Sequence, residues 1–348
     1  MTSIKPFFSI CVPAYNRAKH LRTLLDSIIT QDFESYEIVI CEDLSPERKQ
    51  ISEIVNEYSI RYSGVIKYYE NGLNLGYDAN IRELVKKASG EYCFFMGNDD
   101  LMCPGAMKNV YELIKRHPKI GMVLKSYAWF DNTPDTINQE IRYFTNETFL
   151  KAGKEAISVC FRRAGVISGY IIRRDPAHDA ATAEFDGTLY YQMHLTASVL
   201  LKENAVTSPM VLVYCRNGEP PDFGNSGTEK GKYTPGRYTP EARLNMINGA
   251  LSIAKAIDAR ENIDISSVII YDYANYFYPY IKDQLVLPFL SYIKLYFSFA
   301  KIGFWKYPLF HVYFIVGYIL GENNFDKVTK LIRNFLGRSP SFGVAKKN

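Results

Sequence analysis

The stretch that decides the fold is residues 91–100, EYCFFMGNDD. Its first half is an apolar run typical of a buried β-strand, and its second half ends in two adjacent carboxylates, Asp99 and Asp100. Neighbouring carboxylates repel each other unless a cation or hydrogen bonds hold them. A divalent ion bound by these carboxylates together with a diphosphate relieves that repulsion. The alternative is a solvent-exposed turn, because Asn and Asp are also common turn residues.

Apolar runs of two kinds alternate around this stretch. Short runs with β-branched members predict strands at 7–12, 37–41, 65–69, 92–96 and 120–124. Between these runs apolar residues recur at helical spacing, and we predict Asn16 and Ser45 as the caps that begin the first two helices. Strand and helix in alternation predict a parallel sheet with right-handed crossovers.

Polar clusters fall at three predicted strand ends, at 13–16, 42–43 and 98–100. Sheets of this kind bind ligands at the carboxyl ends of their strands, so we expect these clusters to converge on one crevice. The sequence contains no GxGxxG after the first strand and no GxxxxGK[ST], which argues against dinucleotide and P-loop chemistry.

Composition narrows the class of protein. The 348 residues favour one large catalytic domain with an appendage, or two modest domains. A 47% hydrophobic content excludes global disorder, and a net charge of +4 is too weak to argue for nucleic acid. The six cysteines form no CxxC pair and predict buried thiols of a reducing compartment. No signal-peptide layout opens the chain, so we expect a cytoplasmic protein.

The charge is distributed unevenly. Residues 282–348 contain ten basic and three acidic residues and so carry a net charge of about +7, whereas residues 1–281 carry about −3. A basic tail ends at Lys346 and Lys347. Apolar and aromatic residues with scattered lysines predict that 282–336 lies in the headgroup layer of a membrane. The alternatives are a buried helical pair that covers a domain face, and a true membrane span, for which the cleanest run, 308–321, is short.

Four motifs together resemble the family 2 glycosyltransferases with the GT-A fold, of the bacterial surface-polysaccharide type. The resemblance covers about residues 7–215 and is carried by SICVPAYN (9–16), EIVICED (37–43), NGLNLG (71–76) and GEYCFFMGNDD (90–100). It implies an α/β fold with a mostly parallel, Rossmann-like sheet flanked by helices. Beyond it we expect a C-terminal helical extension. The absence of Gln-x-x-Arg-Trp argues against a processive synthase.

The resemblance also implies roles for individual residues. The loop at 13–15 and Asp43 would hold the nucleotide base, and Asp100 would ligate Mn²⁺ or Mg²⁺. The donor-binding candidates are Pro13, Ala14, Tyr15, Asn16, Asp43, Asn74, Asp78, Asn80, Asn98 and Asp99, and the metal candidates are Asp100 and Asp99. At position 43 a carboxylate favours uracil or thymine, because it accepts the ring N–H that cytosine lacks.

The implied reaction is transfer of one sugar from a nucleotide-diphosphate sugar to an acceptor hydroxyl, with inversion. Such a reaction requires a base opposite the leaving group. The segment 184–195 is the candidate, with Asp186 favoured as base and Glu184 as the second choice. The alternative for Asp186 is a helix cap, and His194 is predicted to be structural.

We divide the chain into a catalytic domain (1–215), a connector (216–240) and a helical extension (241–348). The Gly/Pro-rich part of the connector, 220–227, is either a mobile loop over the donor or a plain linker. A donor site tethered to the inner face of the cell membrane suggests a lipid-linked bacterial glycan, of O-antigen or capsule type, as acceptor. The rival functions are a sugar nucleotidyltransferase, for which an early Gly-rich phosphate loop is missing, and a catalytically silent sugar-nucleotide-binding scaffold.

Overall fold

The computed structural model of the protein describes residues 5–335. The predicted basic tail at Lys346 and Lys347, and residue 336 at the end of the predicted membrane segment, lie outside the described residues. Within this range all of the predicted alternation of strand and helix is present, and it is followed by a helical extension.

One mixed sheet organises residues 5–216. Its strands are β1 (Phe8–Ala14), β2 (Tyr36–Glu42), β3 (Ile66–Glu70), β4 (Tyr92–Phe95), β5 (Leu101–Met102), β6 (Ile120–Phe130), β7 (Ile137–Ile141), β8 (Thr148–Leu150), β9 (Tyr170–Arg173) and β10 (Asn204–Arg216). Their order is β3-β2-β1-β4-β9-β6-β10-β5, with β7 beside β6 and β8 beside β10. Strands β3, β2, β1 and β4 are parallel, β6 and β10 are parallel, and β9 runs antiparallel between the two groups. The prediction of a mostly parallel sheet is confirmed.

Helices cover both faces of this sheet. They are α1 (Ala18–Ile29), α2 (Arg48–Arg61), α3 (Tyr77–Lys87), α4 (Ala106–Arg116), α5 (Lys154–Arg163), α6 (Arg174–Asp179) and α7 (Tyr191–Leu200). Side chains that alternate along β1 point into two hydrophobic clusters, with Ile10 and Val12 in one and Cys11 in the other. A strand buried on both faces has to be apolar throughout, which is why the sequence shows continuous rather than alternating hydrophobic runs here.

Both predicted helix caps are wrong. Asn16 and Arg17 have positive φ angles of 55° and 62°, and α1 begins only at Ala18. The chain needs this left-handed turn to leave β1, so the Asn16 side chain does not cap the helix. The second helix begins at Arg48, because the Glu42 carboxylate accepts the backbone N–H groups of Leu44 (3.1 Å) and Ser45 (2.7 Å) and holds that segment in a turn.

The helical extension packs on the catalytic part and is not a detached unit. It contains α8 (Pro240–Glu261), α9 (Ser266–Asn275), α10 (Tyr278–Ile281), α11 (Phe289–Lys301) and α12 (Pro308–Phe335), the last kinked at Gly321. Buried aromatics of the extension, such as Phe277, Phe299 and Phe310, belong to the same hydrophobic cluster as Tyr191 and Met193 of α7. One face of the extension is therefore buried core.

The extension also leaves large apolar side chains in solvent. They include Val286, Phe289, Leu290, Phe297, Trp305, Ile315, Ile319 and Leu331. We refer to these residues as the outer apolar face. Between residues 5 and 335 no helix combines the length and the hydropathy required to traverse a bilayer.

The turn into β4 generates a test of the packing. A Cβ added at Gly90 would lie 2.6 Å from the Ser9 backbone nitrogen and 2.8 Å from Ser9 Oγ. We expect Gly90→Ala to lower the free energy of unfolding by about 1–3 kcal/mol, because a buried backbone has to move. Urea unfolding followed by circular dichroism measures this. Gly72→Ala is the matched control, since nothing lies within 4 Å of its added Cβ. Equal stability of the two variants would contradict the packing described.

Candidate active site

A cavity of about 360 Å³ lies at the carboxyl ends of β1, β2 and β4. Eight of the residues predicted to bind donor or metal line it, namely Pro13, Tyr15, Asp43, Asn74, Asn80, Asn98, Asp99 and Asp100. The other predicted site residues, Ala14, Asn16, Asp78, Glu184 and Asp186, are not on its wall. The three polar clusters of the sequence thus converge on one crevice.

Asp43 supports one wall of the cavity. Its carboxylate accepts hydrogen bonds from Asn71 Nδ2 (2.8 Å), the Leu75 backbone N–H (2.9 Å) and the Gly76 backbone N–H (2.8 Å). Burial raises the pKa of Asp43, and these three donors act in the opposite direction. The side chain therefore fixes the 71–76 loop against the cavity while it faces the same space.

Asp78 builds a turn instead of facing the cavity. It accepts the backbone N–H groups of Gly187, Thr188 and Leu189 on one oxygen and of Tyr191 on the other, at 2.8–2.9 Å. Burial raises its pKa to about 7 even though these hydrogen bonds oppose the shift. Because Leu189 has a φ of 60°, the turn before α7 needs this anchor.

Asp99 and Asp100 are both buried, and different partners hold them. The Ser168 hydroxyl and the Arg216 backbone N–H (2.7 Å) donate to Asp100, and Arg17 Nη1 donates to Asp99 Oδ2 at 2.7 Å. Burial, and then the neighbouring Asp99 carboxylate, raise the pKa of Asp100 to about 7. A cation placed between the two carboxylates would reverse that shift.

The fit of a metal ion can be judged from this donor set. No cluster of three or more His, Cys, Asp or Glu side chains able to hold a metal occurs within residues 5–335. Two adjacent carboxylates on the wall of a cavity are nevertheless the ligands that Mg²⁺-type ions use when phosphate oxygens and waters complete the shell. Asp99 and Asp100 therefore fit a metal that arrives with a phosphorylated ligand.

The connector forms one side of the cavity. Residues Arg216, Glu219, Pro221, Asp222, Phe223, Glu229 and Tyr238 line it. Arg17 donates to the Pro220 carbonyl at 2.8 Å, and Arg17 Nε lies 3.5 Å from Asp222 Oδ2. Glu229 accepts the backbone N–H groups of Tyr77 (2.8 Å) and Gly224 (2.9 Å). The connector is thus held against the cavity by ion pairs and hydrogen bonds, which a plain linker would not require.

The two predicted bases point elsewhere. Both oxygens of Asp186 pair with Arg82, and Glu184 pairs with Arg260 on the surface. Asp186 is not a helix cap either, since α7 begins at Tyr191. In this arrangement Asp186 can accept a proton from a substrate in the cavity only if Arg82 releases it. His194 is buried against the Ala180 carbonyl at 2.8 Å, as expected of a structural histidine.

Sequence reasoning overlooked several residues that the structure brings to the cavity. Arg17 directly follows the 13–16 cluster, and this adjacency could have predicted that it lies at the cavity. Glu229 and Trp129 also line the cavity, but they lie far from any motif and carry no local signal. The hydrogen bond from Ser168 to Asp100 spans 68 positions and has no sequence signature.

Known proteins match this chain in sequence and in fold. Residues 9–170 match the family described as Glycosyl transferase family 2. These residues form a family 2 glycosyltransferase domain. The abequosyltransferase RfbV of Salmonella typhimurium is 33% identical over 99 residues, which are 28% of this chain and 30% of RfbV. Less than half of that curated relative is therefore matched, and abequosyltransferase activity is a property of that protein.

Solved structures share the fold over most of the chain. The crystal structure of Staphylococcus aureus TarS residues 1–349 superposes with a TM-score of 0.59 at 16% identity, and covers 92% of this chain and 91% of that one. Another TarS structure contains UDP-GlcNAc, with a TM-score of 0.51. A mannosyltransferase from Pyrobaculum calidifontis, solved with GDP-Man and Mn²⁺, gives 0.50 at 12% identity and covers 97% of this chain and 83% of its own. The domain has the GT-A fold.

The contacts of Arg17 generate a prediction about the connector. We expect Arg17→Ala to increase hydrogen–deuterium exchange in residues 217–240 by about tenfold, because the ties to Pro220 and Asp222 are lost. Exchange mass spectrometry of the intact protein measures this. Arg22→Ala is the control, since Arg22 follows closely on α1 but pairs with Glu57 on the surface. Unchanged exchange in Arg17→Ala would contradict a role of this residue in holding the connector.

Proposed function

We propose that the protein transfers a single sugar, with inversion, from a nucleotide-diphosphate sugar to an acceptor hydroxyl. The observation that carries the proposal is the buried pair Asp99 and Asp100 on the wall of the cavity formed by the strand ends. The family match and the nucleotide-sugar complexes of TarS and of the Pyrobaculum mannosyltransferase support it. The rival functions keep the sheet but predict other products: pyrophosphate for a nucleotidyltransferase, and no turnover for a scaffold.

The nucleotide would lie against β1 and β2. Tyr15 and Asp43 stand on this wall, and the backbone of the 13–16 loop is held by Asn98 Nδ2, which donates to the Asn16 carbonyl at 2.7 Å. Asn74 and Asn80 continue the same wall. A preformed wall of this kind lets binding energy orient the donor, so that its anomeric carbon faces the acceptor.

The diphosphate would lie beside Asp99 and Asp100. Mn²⁺ or Mg²⁺ held by these two carboxylates would neutralise the negative charge that develops on the departing diphosphate. Arg17 already contacts Asp99, so its guanidinium is placed to contribute positive charge at the same position. The connector excludes water from the donor, which limits hydrolysis.

The proton of the acceptor hydroxyl has to go to a carboxylate. Asp186 remains the candidate derived from the family resemblance, and it requires release from Arg82 to act. Asp222 and Glu229 are the carboxylates that the connector itself places on the cavity wall. Of the two, Asp222 has the longer contacts, at 3.4 Å from Asn16 Nδ2 and 3.5 Å from Arg17 Nε, and a longer contact leaves a carboxylate more available to a substrate.

Replacement of both carboxylates tests the reaction. We expect the double variant Asp99→Asn, Asp100→Asn to lower metal-dependent sugar transfer at least about 100-fold, because amides do not balance the charge of the cation. The measurement is release of nucleotide diphosphate from UDP-, dTDP- and GDP-sugars with and without Mn²⁺. Asp135→Asn, an exposed carboxylate in a loop, is the control. Intact metal-dependent turnover in the double variant would rule the proposal out.

We further propose that the outer apolar face docks on the inner surface of the cell membrane, so that the acceptor is a lipid-linked bacterial glycan. Support comes from the exposed apolar side chains of α11 and α12 and from the absence of acidic residues between Asp283 and Glu322. Lys294, Lys301 and Lys306 lie in the same stretch and suit anionic headgroups. The O-antigen or capsule type of glycan is part of this proposal, and the abequosyltransferase name of the Salmonella relative is consistent with it.

Point substitutions on this face give a sharp test, since deletion of the segment would also remove core aromatics. Leu290 and Ile319 are 74% and 76% exposed. We expect Leu290→Asp with Ile319→Asp to lower binding to phosphatidylglycerol vesicles at least about tenfold, because two apolar contacts are replaced by charges. Vesicle co-flotation measures it. Ile60→Asp, at an 85% exposed position on α2, should bind like the wild type. Equal flotation of all three proteins would contradict membrane docking.

A further inference from the structure

A second cavity, of about 350 Å³, lies between the sheet and the helical extension. Strands β6 and β7 form one side, and α5, α7, α8 and the α9–α10 region form the other. Trp129 and Val166 line this cavity and also line the first one. The two cavities therefore share a wall, and a molecule in the second is separated from the donor position by the width of these side chains.

Aromatic rings dominate the wall of the second cavity. Besides Trp129, it carries six tyrosines, Tyr127, Tyr143, Tyr190, Tyr276, Tyr278 and Tyr280. Tyrosine and tryptophan offer an apolar face with a polar edge, which suits a molecule that has both C–H surfaces and hydroxyl groups. A sugar ring is such a molecule, and its hydroxyls can be reached by the phenol groups.

Three arginines also stand on this wall, and each pairs with a carboxylate that does not line the cavity, Arg162 and Arg163 with Asp272 and Arg243 with Asp283. Arg162, Arg163 and Arg243 line it, and no Asp or Glu is among its described lining residues. Arg162 is held rigidly, because its Nε and Nη2 donate to Asp272 at 2.6 and 3.1 Å and its guanidinium lies 4.4 Å from the centre of the Tyr276 ring. Its side chain is only 8% exposed. In the part of the chain that the structure describes, Arg162 Nη1 donates no hydrogen bond, so it keeps two N–H groups for a ligand.

Arg243 repeats this arrangement on the helical extension. Its Nε and Nη2 donate to Asp283 at 3.0 and 2.7 Å, and its guanidinium lies 4.0 Å from the centre of the Tyr238 ring. Within residues 5–335, Arg243 Nη1 likewise makes no hydrogen bond. Preorganised guanidinium donors on an aromatic wall are well suited to bind an oxyanion, either carboxylate or phosphate.

We propose that the second cavity is the acceptor subsite and that it binds a carbohydrate bearing an anionic group. The sugar would stack on the tyrosines, and its phosphate or carboxylate would accept hydrogen bonds from the arginines. Its reacting hydroxyl would reach the donor past Trp129 and Val166. This proposal rests on the proposed transfer reaction. It also gives the helical extension a role, because the extension supplies Arg243 and Tyr276 to the subsite.

Strand β7 offers variants that reach only this cavity. Gln139 pairs with Trp129 in the sheet register and lines the second cavity but not the first. Glu140, the next residue, is exposed and lines neither. Gln139→Trp fills the subsite, and Gln139→Glu adds a negative charge with almost no change in shape. Glu140→Trp is the matched control on the same strand.

Saturation-transfer NMR on the full chain tests the proposal. The probes are glucose 1-phosphate, glucuronate and neutral glucose, each added after saturation with diamagnetic Mg²⁺ and the best-binding nucleotide among UDP, dTDP, GDP and CDP. We expect an anionic probe to bind the wild type better than glucose does. Its affinity should be at least fivefold lower for both Gln139 variants and unchanged for Glu140→Trp. Signal from glucose 1-phosphate alone would assign the anion as phosphate, and signal from glucuronate alone as carboxylate.

The contrary results are distinct from one another. Three results would overturn the acceptor subsite while nucleotide binding stays normal: no anionic probe binds, glucose binds equally well, or both Gln139 variants leave the signals unaffected. Each of them would leave the proposed donor site unaffected. Failure of every nucleotide to bind the wild type would overturn the proposed function, and the subsite with it. Unaltered thermal unfolding of the Gln139 variants ensures that a lost signal reports on the cavity.

Discussion

The site depends on two adjacent carboxylates that the fold keeps out of water. Burial of an ionised carboxylate costs several kcal/mol unless hydrogen bonds or opposite charge compensate for it. Asp99 and Asp100 receive that compensation from three separate parts of the chain, namely Arg17 after β1, Ser168 before β9 and the Arg216 backbone at the end of β10. The pair thereby ties the two halves of the sheet and the start of the connector to one point.

Other buried acids hold the backbone around the same cavity. Asp43, Asp78 and Glu229 each accept two or more backbone N–H groups, and each fixes a loop or turn that would otherwise be free to move. Asp78 only holds the backbone, whereas Asp43 and Glu229 hold the backbone and also line the cavity. An acid near a sequence motif can belong to either class, and only the geometry tells them apart.

Sequence reasoning predicted the sheet, the helices that flank it and the crevice well, because hydrophobic periodicity and strand ends are local signals. It failed where the deciding contact is distant along the chain. It did not anticipate that both oxygens of Asp186 pair with Arg82, 104 positions away, and the role of Asp186 as base stays a prediction. The cap predicted at Asn16 was wrong because the turn out of β1 overrides the local preference of Asn. The second cavity has no motif, since its wall is assembled from six separate elements.

The position of a metal ion relative to Asp99 and Asp100 is the most direct test of whether these carboxylates hold the metal together with a diphosphate. Crystals grown with Mn²⁺ and the best-binding nucleotide diphosphate allow the ion to be located by its anomalous scattering. We expect a peak within about 2.5 Å of a carboxylate oxygen of this pair, with diphosphate oxygens completing the shell. A nucleotide bound in the cavity with the ion elsewhere, or no ion with the nucleotide in place, would contradict it.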